Sequence, residues 1–190
     1  MVRSFSSRPV TPDLVAGLLA ESLHSPTAGH TRGTAWLWMA GPDETAGYWE
    51  EATTPSWRAR SPRWPGLSRA SVVALSLTRP DAYVERYRAS DKRESGLGTG
   101  PGSWPVPYWY GDAAFATMVV LLGAVDRGWG ACFLGNFRNE DAVLSRYGVP
   151  DGWRLFGTVL LGHPDGRDHP SASLTRPGPD VVERVHRASW

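Results

Sequence analysis

Tyr108-Trp109-Tyr110-Gly111-Asp112-Ala113-Ala114-Phe115-Ala116-Thr117-Met118-Val119-Val120-Leu121-Leu122-Gly123-Ala124-Val125-Asp126-Arg127-Gly128-Trp129-Gly130-Ala131-Cys132-Phe133-Leu134-Gly135 reads as one long, nearly all-apolar helix. It stops at glycine and delivers the chain into a short buried strand. A helix that is hydrophobic all round belongs at the centre of a domain or in a membrane. Its apolar stretch, Ala113 to Val125, is 13 residues long and ends against Asp126 and Arg127. A bilayer needs about 20. The reading is a core helix at the centre of an α+β domain.

Upstream, a first helix has a legible start. Thr11 stands as N-cap, Pro12 fills the first helical position and Asp13 lies in the first turn, where negative charge is favoured. Val10 and Val15 are spaced as a hydrophobic staple, and Leu14, Leu18, Leu19 and Leu23 continue the apolar face as far as Ser25-Pro26. Ala35 to Met39 reads as a strand, Asp43 to Thr53 as a helix, and Pro55 to Leu67 as a loop. Val72 to Leu77 is a strand whose apolar run suits a sheet covered on both faces, and Asp81 to Arg88 is a short helix. Ser90 to Pro107 is a long Gly- and Pro-rich loop, of a length that often marks a lid.

Downstream, Ala131 to Leu134 is a strand and Glu140 to Tyr147 a helix, capped by Asn139 and stopped at Gly148. Leu155 to Leu161 is a strand. His163 to Pro179 has no regular pattern, and Val181 to Arg187 reads as a final helical turn. A single domain spanning 1–190 is expected, with 163–190 as a C-terminal arm tied to a partner subunit.

The bulk numbers exclude several classes. The chain has 190 residues, 41% hydrophobic and 21% charged, which is the composition of one globular domain with a sizeable core. Lys+Arg 20 against Asp+Glu 19 gives a net charge of +1, so no single-sign field is available for nucleic acid or an anionic membrane. The lone Cys132 sits in an apolar run and reads as a small buried hydrophobe; it rules out a disulfide framework. Met1 to Phe5 lacks the apolar region of a signal peptide, which predicts a cytoplasmic protein. The ten tryptophans suit packing and subunit contacts, with one or two left to line a ligand site.

Motif by motif, most chemistry is absent. His24, His30, His163, His169 and His186 have no metal-ligand spacing, and no GxSxG nucleophile elbow occurs. Gly96-Leu97-Gly98-Thr99-Gly100 resembles a phosphate loop, yet no strand enters it and no helix follows directly. The basic aromatic stretch Trp57 to Trp64 is short, with Glu50 and Glu51 close by. The segment Ser25 to Arg32, small, polar and placed between a helix and a strand, is the better candidate for ligand contacts.

Taken in order, these pieces resemble the FMN-dependent nitroreductase family across nearly the whole chain. Val2-Arg3-Ser4-Phe5-Ser6-Ser7-Arg8-Pro9-Val10 is similar to its N-terminal motif, an Arg or Lys two residues before Phe and then Pro-Val. Ser25 to Arg32 resembles its Ser-Pro-Ser-x-x-Asn-x-Gln segment, and Asp112 to Gly135 its central helix and Gly-Leu-Gly turn. Gly148-Val149-Pro150 and Leu161-Gly162-His163-Pro164 resemble its late landmarks. The tail from Arg176-Pro177 to Trp190 is similar to that of actinobacterial members.

The resemblance implies an α+β, nitroreductase-like three-layer fold, with a mixed, mostly antiparallel sheet around the long central helix, in an interwoven homodimer. It implies FMN as cofactor, NADPH or NADH as electron donor, and a hydride passed through flavin N5 to a flat electron-poor acceptor such as a quinone or nitroaromatic. No separate catalytic residue is implied, nor a metal. Arg3 and Arg176 would hold the FMN phosphate. Pro26, Thr27 and Ala28 would contribute backbone contacts from the other subunit. His30 falls where the family has Asn, and Arg32 where it has Gln on the flavin's pyrimidine edge. Phe133, Leu134, Gly135 and Asn136 would form the backbone stretch beside the ring. The family's Arg-Arg-Ser ahead of Val2 has no counterpart in the sequence, and the Asn and Gln positions are both replaced. Those departures predict weakened FMN binding and keep a catalytically weak flavin-binding protein as the alternative.

Overall fold

Val72–Thr78 (β2) and Arg154–Gly162 (β4) are apolar on both faces, so they take the middle of the sheet, where both faces are covered. Around them lie Thr34–Ala40 (β1) and Gly130–Leu134 (β3), in the order β1-β2-β4-β3. Every pairing among the described residues is antiparallel. Leu37 faces Leu75, Leu75 faces Thr158, and Thr158 faces Leu134 across the four strands. The computed structural model describes residues 1–136, 138–169, 171–178 and 182–188.

Strand alternation sorts the core into two layers. On one face Leu75, Leu77, Leu155, Leu160 and Cys132 pack with Phe5, with Tyr48 and Trp49 of Gly41–Ala52 (α2), and with Val143 and Leu144 of Glu140–Arg146 (α7). On the other face Val72, Ala74, Val159 and Leu161 meet Val15, Leu18 and Leu19 of Pro12–Ser22 (α1) and Val120 and Ala124 of the central helix. Cys132 is fully buried, and burial pushes its thiol up, so it serves as a small apolar filler. A third cluster of Tyr83, Trp104 and Trp109 closes one end.

The central helix spans Tyr108–Asp126 (α6), longer than its apolar run. By length and composition alone it is long enough to cross a membrane. In the fold one side packs on α1 and the sheet. The other side is open: Phe115, Met118, Leu122 and Val125 are 53, 53, 64 and 68% exposed. The helix is thus the expected core helix on its side toward α1 and the sheet, with one stripe open in the single protomer. Positions 115, 118, 122 and 125 recur at helical spacing, so they form one stripe facing away from the sheet.

Pro55 to Leu67 is not a loop but two short helices, Pro55–Arg60 (α3) and Trp64–Leu67 (α4). Proline is tolerated in a first turn because its missing N–H is not needed there. Pro55 sits at such a position, and Thr54 Oγ1 accepts the Trp57 N–H at 3.1 Å. Thr11 and Asn139 occupy N-cap positions, but neither side chain makes a capping bond.

Beyond Pro80–Tyr87 (α5), the segment from Ser90 to Pro107 forms three 3-10 turns anchored by Trp104. The Trp104 ring lies 4.7 Å from Tyr87, and its indole N–H donates to Leu97 O at 3.0 Å. The glycines at 96–100 belong to these turns.

The tail begins by packing on its own protomer. His163 O accepts from Ser6 N at 2.8 Å, and Asp165 accepts from Ser4 Oγ at 2.8 Å and from Arg69 at 2.9 Å. Farther on come two 3-10 turns, Ala172–Thr175 and Val182–Arg184, with Leu174 and Val185 both 76% exposed. The expected last helix is reduced to the second of these turns, its start at 181 and the terminal Trp190 lying outside the described residues.

Leu160, fully buried between β2 and α2, reports on the whole core. Leu160→Ala should lower the unfolding free energy by about 2–5 kcal/mol, measured by urea denaturation. A loss under about 1 kcal/mol would contradict this packing.

Candidate functional site

β3 is an edge strand, and past Leu134 the chain leaves the sheet before α7 begins. The space this opens, a cavity of about 600 Å³, lies between residues 134–136, 138 and 139 and helices α2 and α3. Its walls are Tyr48, Trp49, Ala52, Thr53 and Thr54 on one side and Ser56, Trp57, Arg60 and Leu67 beyond them. Leu134, Gly135, Asn136, Arg138 and Asn139 close it. That volume is within the range of about 300–1,000 Å³ typical of small-molecule and cofactor sites. The lining combines large aromatic faces, two carboxamides and two guanidiniums, with no carboxylate among its described residues.

Local bonds fix the turn. Asn139, with a left-handed φ of +55°, donates its Nδ2 to Glu51 O at 2.9 Å, pinning the turn to α2. Glu140 accepts from Arg154 Nε at 2.7 Å and from Leu155 N at 3.0 Å, pinning it to β4. The Arg154 guanidinium holds the Glu140 carboxyl below the usual carboxylate range. Thr158 Oγ1 donates to Asn136 Oδ1 at 2.8 Å. Tyr48 is buried beside this pair, and burial pushes its phenol up.

A second constructed element is the turn from Ser25 to Gly33. Asp112, 2% exposed in the first turns of α6, accepts from Ala28 N and from Tyr83 Oη, each at 2.8 Å. Burial, and then the facing Asp112 carboxylate, push the Tyr83 phenol well above its ordinary value, so it stays a donor. Arg86 Nε donates to Gly29 O at 2.8 Å. A Cβ on Gly33 would lie 2.4 Å from the Tyr83 ring, so the ring presses directly on the backbone. His30 and Arg32 are both left-handed, with φ of +57° and +44°, and the Arg32 guanidinium donates to His30 Nε2 at 3.2–3.3 Å. Such conformations are uncommon outside glycine and persist where surrounding bonds impose them.

Of the residues expected at a site, Leu134, Gly135 and Asn136 line the cavity together. Phe133, expected to contribute backbone, turns its ring to the opposite face by strand alternation, 5.4 Å from Phe156 and tight against Gly157. Pro26, Thr27, Ala28, His30 and Arg32 form the second element and do not line this protomer's cavity. Arg3 and Arg176 do not line it either. The backbone of Arg3 runs against Gly66, next to the cavity residue Leu67, while Arg176 is exposed in the tail.

None of the residues 90–107 reaches this protomer's cavity, and Trp104 is committed to the aromatic cluster. The residues not anticipated were the α2 and α3 wall, with Arg138 and Asn139. Their one signal was the density of Trp and Arg between Trp57 and Trp64, beside prolines that begin helices.

The family profile described as the nitroreductase family matches residues 1–163. An Archaeoglobus fulgidus protein provisionally named NADH dehydrogenase/NAD(P)H nitroreductase is 34% identical over 194 residues, covering 100% of this chain and 92% of that one. Among solved structures, the Lactococcus lactis nitroreductase CinD, in complex with nicotinic acid, superposes with a TM-score of 0.77 at 17% identity. That match covers 100% of this chain and 95% of the other. An FMN-dependent nitroreductase from Clostridium difficile gives 0.65 at 14% identity, with coverage of 100% and 94%. The chain belongs to the nitroreductase family.

Glu140 carries the rim of the cavity. Because its native carboxyl is depressed, its contribution is present above the unfolded-state value of about 4.3 and is lost as pH falls through the lower native value. Glu140→Gln should be less stable than wild type at neutral pH. The difference should shrink on acidification below about pH 4, followed by thermal denaturation across pH. A gap that stays constant down to that range would contradict the assignment.

Proposed function

We propose that this nitroreductase-family protein is an FMN-dependent oxidoreductase, taking a hydride from NADPH or NADH and passing it to a flat electron-poor acceptor such as a quinone or nitroaromatic. The observation that carries the reading is the cavity at the end of β3, in which aromatic faces, carboxamides and guanidiniums converge. Those are the surfaces a planar heterocycle with a polar edge and an anionic end requires, so the residues present fit FMN. When bound, FMN supplies a ring that accepts a hydride at N5 and releases it to the acceptor.

The chain's own residues then bind and orient. Trp49, Trp57 and Leu134 offer apolar faces that exclude water. Asn136 and Asn139 address the polar edge, while Arg60 and Arg138 suit an anionic group. Arg3 beside Gly66, and Arg176 in the tail, are the phosphate ligands the family resemblance implies. A lone protomer does not place the turn at 25–33 in the cavity, so the complete site needs a second copy. The open stripe on α6, with the exposed Leu174 and Val185, is the apolar surface such a homodimer would cover. The turn of one subunit and the cavity of the other then build one site. There, Arg32 places a cation near the pyrimidine edge, where reduction builds negative charge. A weak flavin-binding protein remains the second reading, favoured by His30 and Arg32 standing where the family has Asn and Gln.

Protein incubated with FMN and desalted should stay yellow and bleach anaerobically with NADPH or NADH. Colour without bleaching favours the second reading, and no retained colour refutes both. Arg32→Ala should lower the reduction potential of the bound flavin, and an unchanged potential would remove Arg32 from the site. By light scattering the wild type should be a dimer and Leu122→Lys a monomer; a monomeric wild type would overturn the shared site.

A further inference from the structure

The α2–α3 wall of the cavity runs from a buried base to an exposed mouth. Tyr48 and Trp49, 2% and 6% exposed, stand 4.9 Å apart between ring centres. Trp64 meets Trp49 at 5.2 Å and Trp57 at 6.0 Å, and Trp57 is 40% exposed. Arg60, exposed, follows Trp57 by three positions on α3, so the two share a helix face, and both line the cavity. Thr54 fixes that helix by accepting the Trp57 N–H. Arg60 Nε donates to Ser56 O at 3.2 Å, which holds the guanidinium along α3 and leaves its Nη groups as donors. The charges around it are committed elsewhere. Arg58 lies over the Trp64 ring at 5.7 Å. Glu50 and Glu51 pair with Arg146 at 3.0 and 3.4 Å, and Glu140 pairs with Arg154 at 2.7 Å. Arg60 makes no ion pair among the described residues.

We propose that Trp57 and Arg60 select an anionic flat acceptor, a nitroaromatic or quinone that carries a carboxylate, with its ring against Trp57 and its carboxylate on the Arg60 guanidinium. The inference rests on the flavin reading above and narrows its acceptor class. In that reading Arg3 and Arg176 are the implied ligands of the FMN phosphate, and Leu134, Gly135 and Asn136 lie beside its ring. An acceptor must enter and leave by the mouth while the cofactor stays. Trp57 and Arg60 put an aromatic face and a cation side by side there. A guanidinium presents paired N–H donors that match the two oxygens of a carboxylate, and a neutral amide in the same place offers only one oxygen and no charge.

The test uses oxidised, FMN-loaded protein and two probes of similar shape, benzoate and benzamide, with dissociation constants read from the perturbed flavin absorbance. Wild type should bind benzoate the more tightly. Arg60→Gln should cut that preference about 3- to 10-fold, Arg60→Lys should keep part of it, and Arg60→Glu should reverse it. Turnover of p-nitrobenzoate against p-nitrobenzamide should shift by the same factor, in KM rather than kcat. In that turnover NADPH supplies a hydride and solvent a proton. The nitro group takes up the electron pair and both hydrogens, releases one oxygen as water and becomes nitroso. Trp57→Ala should weaken both probes alike. A preference unchanged in Arg60→Gln refutes the carboxylate contact, and unchanged affinities in Trp57→Ala refute the stacking. An Arg60→Gln protein that loosens FMN and spares riboflavin makes Arg60 a phosphate ligand and overturns the acceptor assignment. Wild-type protein that retains no FMN overturns the flavin reading and this inference together. Retained FMN with no preference for benzoate overturns this inference alone.

Discussion

The constraint on which the rest depends is that the sheet is covered on both faces. β2 is buried along its whole length, and β4 everywhere except Arg154 and Phe156, so neither strand has room beside it for a ligand. The cavity of about 600 Å³ opens where an edge strand ends and the next helix has not begun. That place is the turn after Leu134. The two-residue period of β3 then allots Leu134 to the cavity and Phe133 to the layer beneath α6, so consecutive side chains serve opposite layers. α2 and α3 meet the same opening because they cover the face toward which Leu134 points.

A second knot sits at the other end of α6. Asp112 binds Ala28 across 84 positions of sequence and shares its carboxylate with Tyr83. Because burial and the facing carboxylate hold the Tyr83 phenol protonated, it is the donor of the pair. The turn at 25–33 is thereby attached to the same helix that carries the open apolar stripe. In the proposed dimer, a subunit docking on that stripe would meet a turn whose backbone is already fixed, so association would not need to order it again.

Elements whose apolar period lies within the segment were legible: α1, β2, α6, β3 and β4 follow from spacing alone, each within a few residues. α3 and α4 were not, because their prolines signal both loops and helix first turns, and only the packing of Trp64 against Trp49, at 5.2 Å between rings, decides between the two. Leu134, Gly135 and Asn136 were named through the family resemblance rather than by local spacing, and they line the cavity. The α2 wall was not anticipated, since nothing within Gly41–Ala52 tells a face packed on a strand from a face packed beside a void. Nor did local sequence reveal that Phe133 turns away, which depends on its packing against Phe156 and Gly157 of β4. The role of Asp112 depends on a contact with a distant turn and leaves no local trace.

The left-handed backbones of His30 and Arg32 carry an implication for how this chain can vary. A left-handed non-glycine residue is disfavoured by about 1–2 kcal/mol, so glycine at either position would relax the turn. On folding alone the better sequence there has no side chain. The imidazole and guanidinium are thus kept at a loss that the bonds from Asp112, Tyr83 and Arg86 absorb. Selection for thermal robustness would drive these two positions toward glycine, whereas selection for what the side chains do would hold them. The residue found there in any variant of this chain records which pressure has prevailed.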